Sequence, residues 1–290
     1  MTEEIKPAPL GFTDEEWRTF RREGLIHREG VLSPEQADAM LEAAKELTSG
    51  RVHDKEHTNK VENVIRAHPA FQQLIDLDAH IGYAYDIYGD QTRLSQNDLF
   101  VRPPGSIVNH WHFDGPRAVP YRAFSPVLPL KLRVGYWLTD LPRENMGNLL
   151  YLPGSQRADY EHEHTGVGDV DGQQSLICGK GSMTVFGANL WHRIQPNTSD
   201  VTRVNVFLSY TPTWVNGYYF QDEADFSGLT REQRILLRPY GKSQEDFSRP
   251  PARDQPLYLG GRVRETSEPV EGHKIRRHTR YEQTLQYLTD

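Results

Sequence analysis

Asn109-His110-Trp111-His112-Phe113-Asp114-Gly115 is the stretch on which the reading of this 290-residue chain turns. It holds a His-x-Asp pair, His112 and Asp114, bracketed by the turn formers Pro103-Pro104-Gly105 before it and Gly115-Pro116 after it. On a strand, residues i and i+2 point to the same face, so an imidazole and a carboxylate converge while Phe113 turns the other way. Two ligands of one metal need that convergence. A third must come from elsewhere in the chain, and His192 in Leu190-Trp191-His192-Arg193 supplies it. Two histidines and one carboxylate form the open-sided facial triad of non-haem Fe(II) sites, which leaves three coordination positions for a bidentate cosubstrate and dioxygen.

Upstream of the motif the chain reads as helical. Thr13 and Glu16 make a capping box, with Phe12 and Trp17 placed for a hydrophobic staple; Trp17, Phe20 and Leu25 carry the apolar spacing around Gly24, a stop signal. Ser33, Pro34 and Gln36 open a second helix whose stripe is Ala37, Met40, Leu41, Ala44 and Leu47. Residues 51–68, with His53, His57 and His68, read as a polar loop able to rim a pocket, and helical spacing resumes from Phe71 to Tyr88.

From about residue 91 the pattern changes. Short runs rich in β-branched and aromatic residues alternate with turns: Thr92–Arg102, Leu130–Thr139, Leu149–Leu152, Gly181–Phe186 and Thr202–Tyr210. Helices first and strands after predict an α+β protein: a double-stranded β-helix (jelly-roll, cupin-like) core with N-terminal packing helices. We expect a single domain over 1–290, helical in 12–90, jelly-roll in about 91–215, with a polar C-terminal extension over 216–290. Arg157–Gln173 reads as an insertion between strands.

Composition narrows the function classes. A net charge of −7 argues against nucleic acid as a partner. No apolar run approaches the ~20 residues of a membrane helix, and Met1-Thr2-Glu3-Glu4 lacks the basic and apolar regions of a signal peptide. Cys178 is the only cysteine, so cysteine-based metal sites and internal disulfides are excluded and a cytoplasmic protein is expected.

Arg203 is the fourth element of the site. On the strand Thr202–Tyr210, Arg203, Asn205, Phe207 and Ser209 share one face; Val204, Val206, Leu208 and Tyr210 share the other, which suits a core. The first face suits a cavity, where a buried guanidinium needs an anion and pairs best with a carboxylate.

With these residues in place the sequence resembles the phytanoyl-CoA hydroxylase-like family of Fe(II)/2-oxoglutarate oxygenases over roughly residues 10–215. His112-Phe113-Asp114, Asn145-Met146-Gly147-Asn148-Leu149, Leu152-Pro153-Gly154-Ser155-Gln156, Gly181–Phe186, Trp191-His192, Asn197 and Arg203 carry the resemblance. The eleven-residue step from His192 to Arg203 is similar to the family's spacing between its distal histidine and its 2-oxoglutarate arginine. Gln156 stands where members often have histidine, and His110 where they often have glutamine; both departures bear on the substrate side and leave the metal ligands intact. The resemblance implies iron at His112, Asp114 and His192, 2-oxoglutarate held by Arg203, consumption of O2, and decarboxylation to succinate coupled to hydroxylation of a small molecule. Related halogenases lack the ligand carboxylate, so Asp114 favours hydroxylation or a sibling oxidation.

Other residues carry competing readings. His110 shares strand parity with His112 and is a pocket candidate, although a satisfied non-ligand histidine reads as well. The strand Leu130–Thr139 has two faces. If Lys131, Arg133 and Trp137 line the cavity, the two cations argue for an anionic substrate. The resemblance, anchored on Gly147, instead places Tyr136 near 2-oxoglutarate; that face is preferred, with Lys131 and Arg133 read as solvated. Asn205 and Trp137 are further pocket candidates. Arg102, Arg117 and Arg122 read as surface charge, His162-Glu163-His164 as an exposed loop, and Lys274, Arg276, Arg277 and Arg280 as a solvated helix face. A monomer or homodimer is expected. The rivals are a cupin-like metal enzyme that does not use 2-oxoglutarate, against which Arg203 argues, and a non-catalytic binding protein of the same fold, against which the intact triad argues.

Overall fold

The computed structural model describes residues 4–51, 59–107, 109–114, 129–157, 164, 166–215, 217, 219, 228–237 and 254–260. Both expected capping boxes form. Thr13 accepts from Glu16 N–H and Glu16 from Thr13 N–H, which opens α1 (Asp14–Glu23); Ser33 and Gln36 do the same for α2 (Pro34–Thr48). The staple rings of Phe12 and Trp17 sit 5.0 Å apart. Leu25 does not continue the first helix. Gly24 takes a left-handed conformation (φ 86°) and ends α1, and Leu25 starts strand β1 (Leu25–Arg28).

Residues 59–67 are structured rather than loop: β2 (Asn59–Glu62) precedes a one-turn helix α3 (Val64–Ala67). His68 caps the 3-10 segment Pro69–Ile75, accepting from Ala70 N–H, while His53 and His57 lie outside the described residues. The helical stretch expected from Phe71 to Tyr88 breaks at Asp76 before α4 (Asp78–Tyr88), which Gly89 ends.

The strands follow: β3 (Thr92–Arg102), β4 (Leu132–Trp137), β5 (Leu149–Tyr151), β6 (Gln174–Ser175), β7 (Ser182–Gly187), β8 (His192–Ile194) and β9 (Arg203–Pro212). They form two antiparallel sheets, one ordered β1-β7-β4-β9-β3-β2 and one ordered β6-β5-β8, the jelly-roll architecture expected from the strand pattern. After β9 a short helix, α5 (Arg231–Leu237), follows. Ile235, Leu236, Leu237, Leu257 and Tyr258 join the main core, so the described part of the extension packs against the body.

The six-stranded sheet has two differently used faces. Leu132, Val134 and Tyr136 of β4, with Val204, Val206, Leu208 and Tyr210 of β9, face α2 and α4 in the main core. Trp137, Phe186 and Phe207 look inward to a second core with Leu149, Leu176 and Ile194 from the small-sheet side. The second face carries the site. Among the described residues no helix is long and apolar enough to cross a membrane.

Candidate metal centre

His112, Asp114 and His192 come together: one ligand atom from each lies within 4.8 Å of the others. The segment bearing the first two is not a regular strand. It makes one antiparallel bridge, His112 to His192, with N–H to carbonyl distances of 3.0 and 2.8 Å, and Asp114 N–H donates to Ala188. That local pairing suffices to set His112 and Asp114 on the same side, because the alternation of side chains needs only extended backbone.

Each histidine ring is oriented by a backbone carbonyl, which can only accept. Nδ1 of His112 lies 2.8 Å from His110 O, and Nδ1 of His192 lies 2.8 Å from Leu190 O. Both Nδ1 atoms therefore carry the proton, which leaves Nε2 as the metal-binding atom on each ring. The rings lie 4.4 Å apart. Burial, reinforced by His112, pushes His192 down to about 3, so it is neutral near pH 7. Burial raises Asp114, but Arg133 first, then His192, Lys131 and His112, overcome it and hold the carboxyl well below its ordinary range. Neutral imidazoles with an ionised carboxylate are the donor state that a divalent metal requires, and the mixed set suits iron.

Arg203 is 1 % exposed, and among the described residues its Nε and Nη2 have no hydrogen-bond partner. Its guanidinium carbon lies 4.9 Å from the Trp137 ring centroid. Arg102, its cross-strand neighbour, is buried rather than surface-exposed and bonds the Ile107 carbonyl. Burial, then Arg102, holds Arg203 well below the usual arginine range. Two adjacent buried guanidinium groups call for an anion, and the distal carboxylate of 2-oxoglutarate fits that demand. Gly147 keeps the place open. Its φ is +77°, and a Cβ there would lie 3.4 Å from Arg203 Cδ. Asn205, next along the same face, is fully buried, with both amide atoms unpartnered among the described residues, opposite Trp137, whose indole N–H donates to Thr184.

Tyr136 is not brought to this cluster. It lies on the opposite face of β4, within the main core, with its hydroxyl 2.6 Å from His80 Nδ1. The face that meets the metal ligands is the other one: Arg133, read from sequence as solvated, is buried and donates through Nη1 to Asp114 Oδ2. Lys131 is partly buried, and burial takes it down to about 8, opposed by Asp114. His110 is exposed and lines an outward cleft of about 440 Å³ with Trp111, Phe113, His164 and Trp191. Gln156 ties the Arg21 carbonyl. Cys178 is buried, which raises its thiol to about 12. Arg117, Arg122, His162, Glu163 and Lys274–Arg280 lie outside the described residues.

The family model for phytanoyl-CoA dioxygenase (PhyH) matches residues 20–205. No curated protein matches the chain by sequence. Among solved structures, HygX from Streptomyces hygroscopicus with nickel and 2-oxoglutarate bound superposes with a TM-score of 0.59 at 16% identity, covering 75% of this chain and 94% of that one. A further HygX structure also holds hygromycin B. SnoK, a non-haem α-ketoglutarate-dependent carbocyclase from nogalamycin biosynthesis, gives 0.55 at 22% identity, covering 71% and 87%. SnoN, an epimerase of the same biosynthesis, gives 0.53 at 17%, covering 68% and 81%. At these identities the likeness is one of fold.

Proposed function

The chain belongs to the phytanoyl-CoA dioxygenase (PhyH) family, and on that premise we propose that His112, Asp114 and His192 hold its iron, that Arg203 holds the distal carboxylate of 2-oxoglutarate, and that the reaction hydroxylates a small molecule. The protein is an iron- and 2-oxoglutarate-dependent oxygenase. Bound iron and 2-oxoglutarate supply the oxidising chemistry: dioxygen is consumed, one oxygen atom entering succinate and the other the substrate, with loss of CO2. Everything else falls to the chain.

The observation that carries the residue roles is a three-ligand cluster together with a buried arginine, on the inner face of β9, whose Nε and Nη2 find no partner among the described residues. His112 and His192, each fixed through Nδ1, offer Nε2. Asp114 offers a carboxylate oxygen and is anchored by Arg133 through Oδ2, the atom 3.8 Å from His192 Nε2. Arg203, steadied over Trp137, orients the cosubstrate, and the buried wall around it excludes water from that end. Because Arg133 is engaged with Asp114, it does not argue for an anionic substrate. That HygX holds hygromycin B, and that SnoK and SnoN belong to nogalamycin biosynthesis, supports oxidation of a secondary metabolite in this fold. The single, buried cysteine supports a reducing, cytoplasmic setting.

The test is anaerobic titration of Fe(II) into protein with 2-oxoglutarate. The visible charge-transfer band of an α-keto acid chelated to Fe(II) should appear with one-to-one stoichiometry, and admitting air should release succinate. Asp114→Ala should abolish both. A wild-type protein that gives neither band nor succinate would refute the reading.

A further inference from the structure

A second group of buried polar atoms, unsatisfied among the described residues, lies on the inner face of the six-stranded sheet, away from Arg203 along β9. Gln96, Ser209 and Arg133 form one row across β3, β9 and β4, because Ser209 is the register partner of both others. They are 8%, 0% and 7% exposed. Among the described residues, Gln96 Oε1, Ser209 Oγ and Arg133 Nε have no hydrogen-bond partner. The other end of Arg133 contacts Asp114, so the row begins at a metal ligand.

The backbone is bent to build this row. β3 carries a register shift between Leu94 and Gln96: Leu94 pairs with Tyr210 on the core face, and Gln96 pairs with Ser209 on the inner face. In a regular strand Gln96, two residues after Leu94, would share its core face; the bulge at Ser95 puts the two on opposite faces. Ser95 holds the irregularity by donating to the Ser209 carbonyl. A bulge re-aims a side chain in this way beside functional sites. Asp98 then fixes the amide. It is paired with Lys60 at 3.1 Å and accepts from Gln96 Nε2 at 2.6 Å, so the Gln96 oxygen must point elsewhere and can only accept.

The row thus presents an acceptor at Gln96, a donor at Arg133 and a hydroxyl between them that can do either. Buried polar groups left unpaired are costly, and folded proteins keep few of them. An acyl chain would satisfy none of the three. A carboxylate or phosphate would satisfy Arg133 and Ser209 but set oxygen against oxygen at Gln96. An ammonium group would meet Gln96 but face Arg133 and Lys131. Hydroxyl groups both give and accept, and adjacent ones satisfy all three. We infer that the Gln96–Ser209–Arg133 row is a substrate subsite for the hydroxyl groups of a polyhydroxylated, saccharide-like molecule, held beside Asp114; this rests on the oxygenase reading above.

The test uses enzyme loaded with Fe(II) and 2-oxoglutarate. The probes are methyl glycosides of glucose, mannose and N-acetylglucosamine and myo-inositol, set against decanoate and decanoyl-CoA; the readouts are the charge-transfer band and succinate release above the uncoupled rate. At least one hydroxylated probe should shift the band and raise succinate release, and the acyl probes should not. Ser209→Ala and Gln96→Met should lose that response at least tenfold and keep the band; Ser209→Ala, which removes only an unpaired polar atom, should also keep or raise Tm. A normal band with no response to any hydroxylated probe, a response to acyl probes alone, or a Tm lowered by several degrees in Ser209→Ala would overturn the inference. An unsubstituted enzyme without the band would instead refute the cofactor reading, and this inference with it.

Discussion

Arg133 donates through Nη1 to Oδ2 of Asp114, and its guanidinium carbon lies 4.6 Å from the Phe207 ring centroid. The contact joins β4 to the segment that bears two metal ligands. The cation anchors the carboxylate beside His192, the kind of outer contact whose loss costs about 10–100-fold in metal affinity. Arg133→Met keeps the stem on Phe207 and removes the fork. Fe(II) affinity, titrated anaerobically, should fall within that range, and an unchanged value would mean that the Asp114 backbone alone orients the carboxylate.

Arg203 has a different task and should fail differently. Arg203→Met removes a buried cation, and the loss of such a partner from a charged hydrogen-bonded pair costs about 2–5 kcal/mol. The 2-oxoglutarate concentration that half-saturates the charge-transfer band should therefore rise by a factor of about 30 or more. Fe(II) binding without 2-oxoglutarate should stay at the wild-type value. A cosubstrate affinity unchanged by the substitution would remove Arg203 from the role.

Residues with one dominant local cause were legible in the sequence. Thr13, Glu16, Ser33 and Gln36 follow short-range capping chemistry, and both boxes form as read. The faces of β9 could be read because one set is apolar and the other is not. β4 could not be read that way: all six of its residues are buried, so both faces are inside and alternation no longer tells core from cavity. The preference for Tyr136 rests on the resemblance alone, and the alternation has nothing to set against it, while an isolated Arg133 gives no sign of a carboxylate nineteen positions upstream. β1 and β2 have four residues each and owe their existence to pairing with β7 and β3, a long-range cause that no local window contains. The bulge at Ser95 is equally silent in a run of polar residues.

His80 makes acid stability testable. It is 0% exposed, between Tyr136 Oη and Tyr210 Oη, each 2.6 Å from a ring nitrogen. Tyr210 donates its own proton to the Ile75 carbonyl, so His80 Nε2–H donates to Tyr210, and Nδ1 accepts from Tyr136. Burial lowers the imidazole from 6.5 to about 3. Below pH 6.5 the unfolded chain takes up a proton that the folded chain refuses until about 3, so stability falls as pH drops through that window, by about 1.4 kcal/mol per unit. Gln in place of His80 offers the same donor and acceptor without titrating. Between pH 6.5 and 5.5 the wild type should lose roughly 1 kcal/mol more than His80→Gln in urea unfolding, and equal losses would assign the acid limb to other groups.

Gly135 sits mid-strand in β4, where glycine is otherwise unfavourable. A Cβ there would lie 2.6 Å from Phe207 Cε1 and 2.7 Å from Thr184 Oγ1, so the Phe207 ring occupies the space the side chain would need. Its φ is not in the left-handed region, so backbone strain plays no part and the cause is space alone. The same ring lies beneath the Arg133 guanidinium. Gly135→Ala should push Phe207 aside, cost about 1–3 kcal/mol as overpacking does, and weaken Fe(II) binding in the same direction as Arg133→Met. Adding Phe207→Leu makes room for the new methyl group, so the double variant should be more stable than the sum of the two single losses by more than the ~0.5 kcal/mol at which distant sites still add. Simple additivity in thermal unfolding would show that the ring yields without cost and that Gly135 has no part in positioning Arg133.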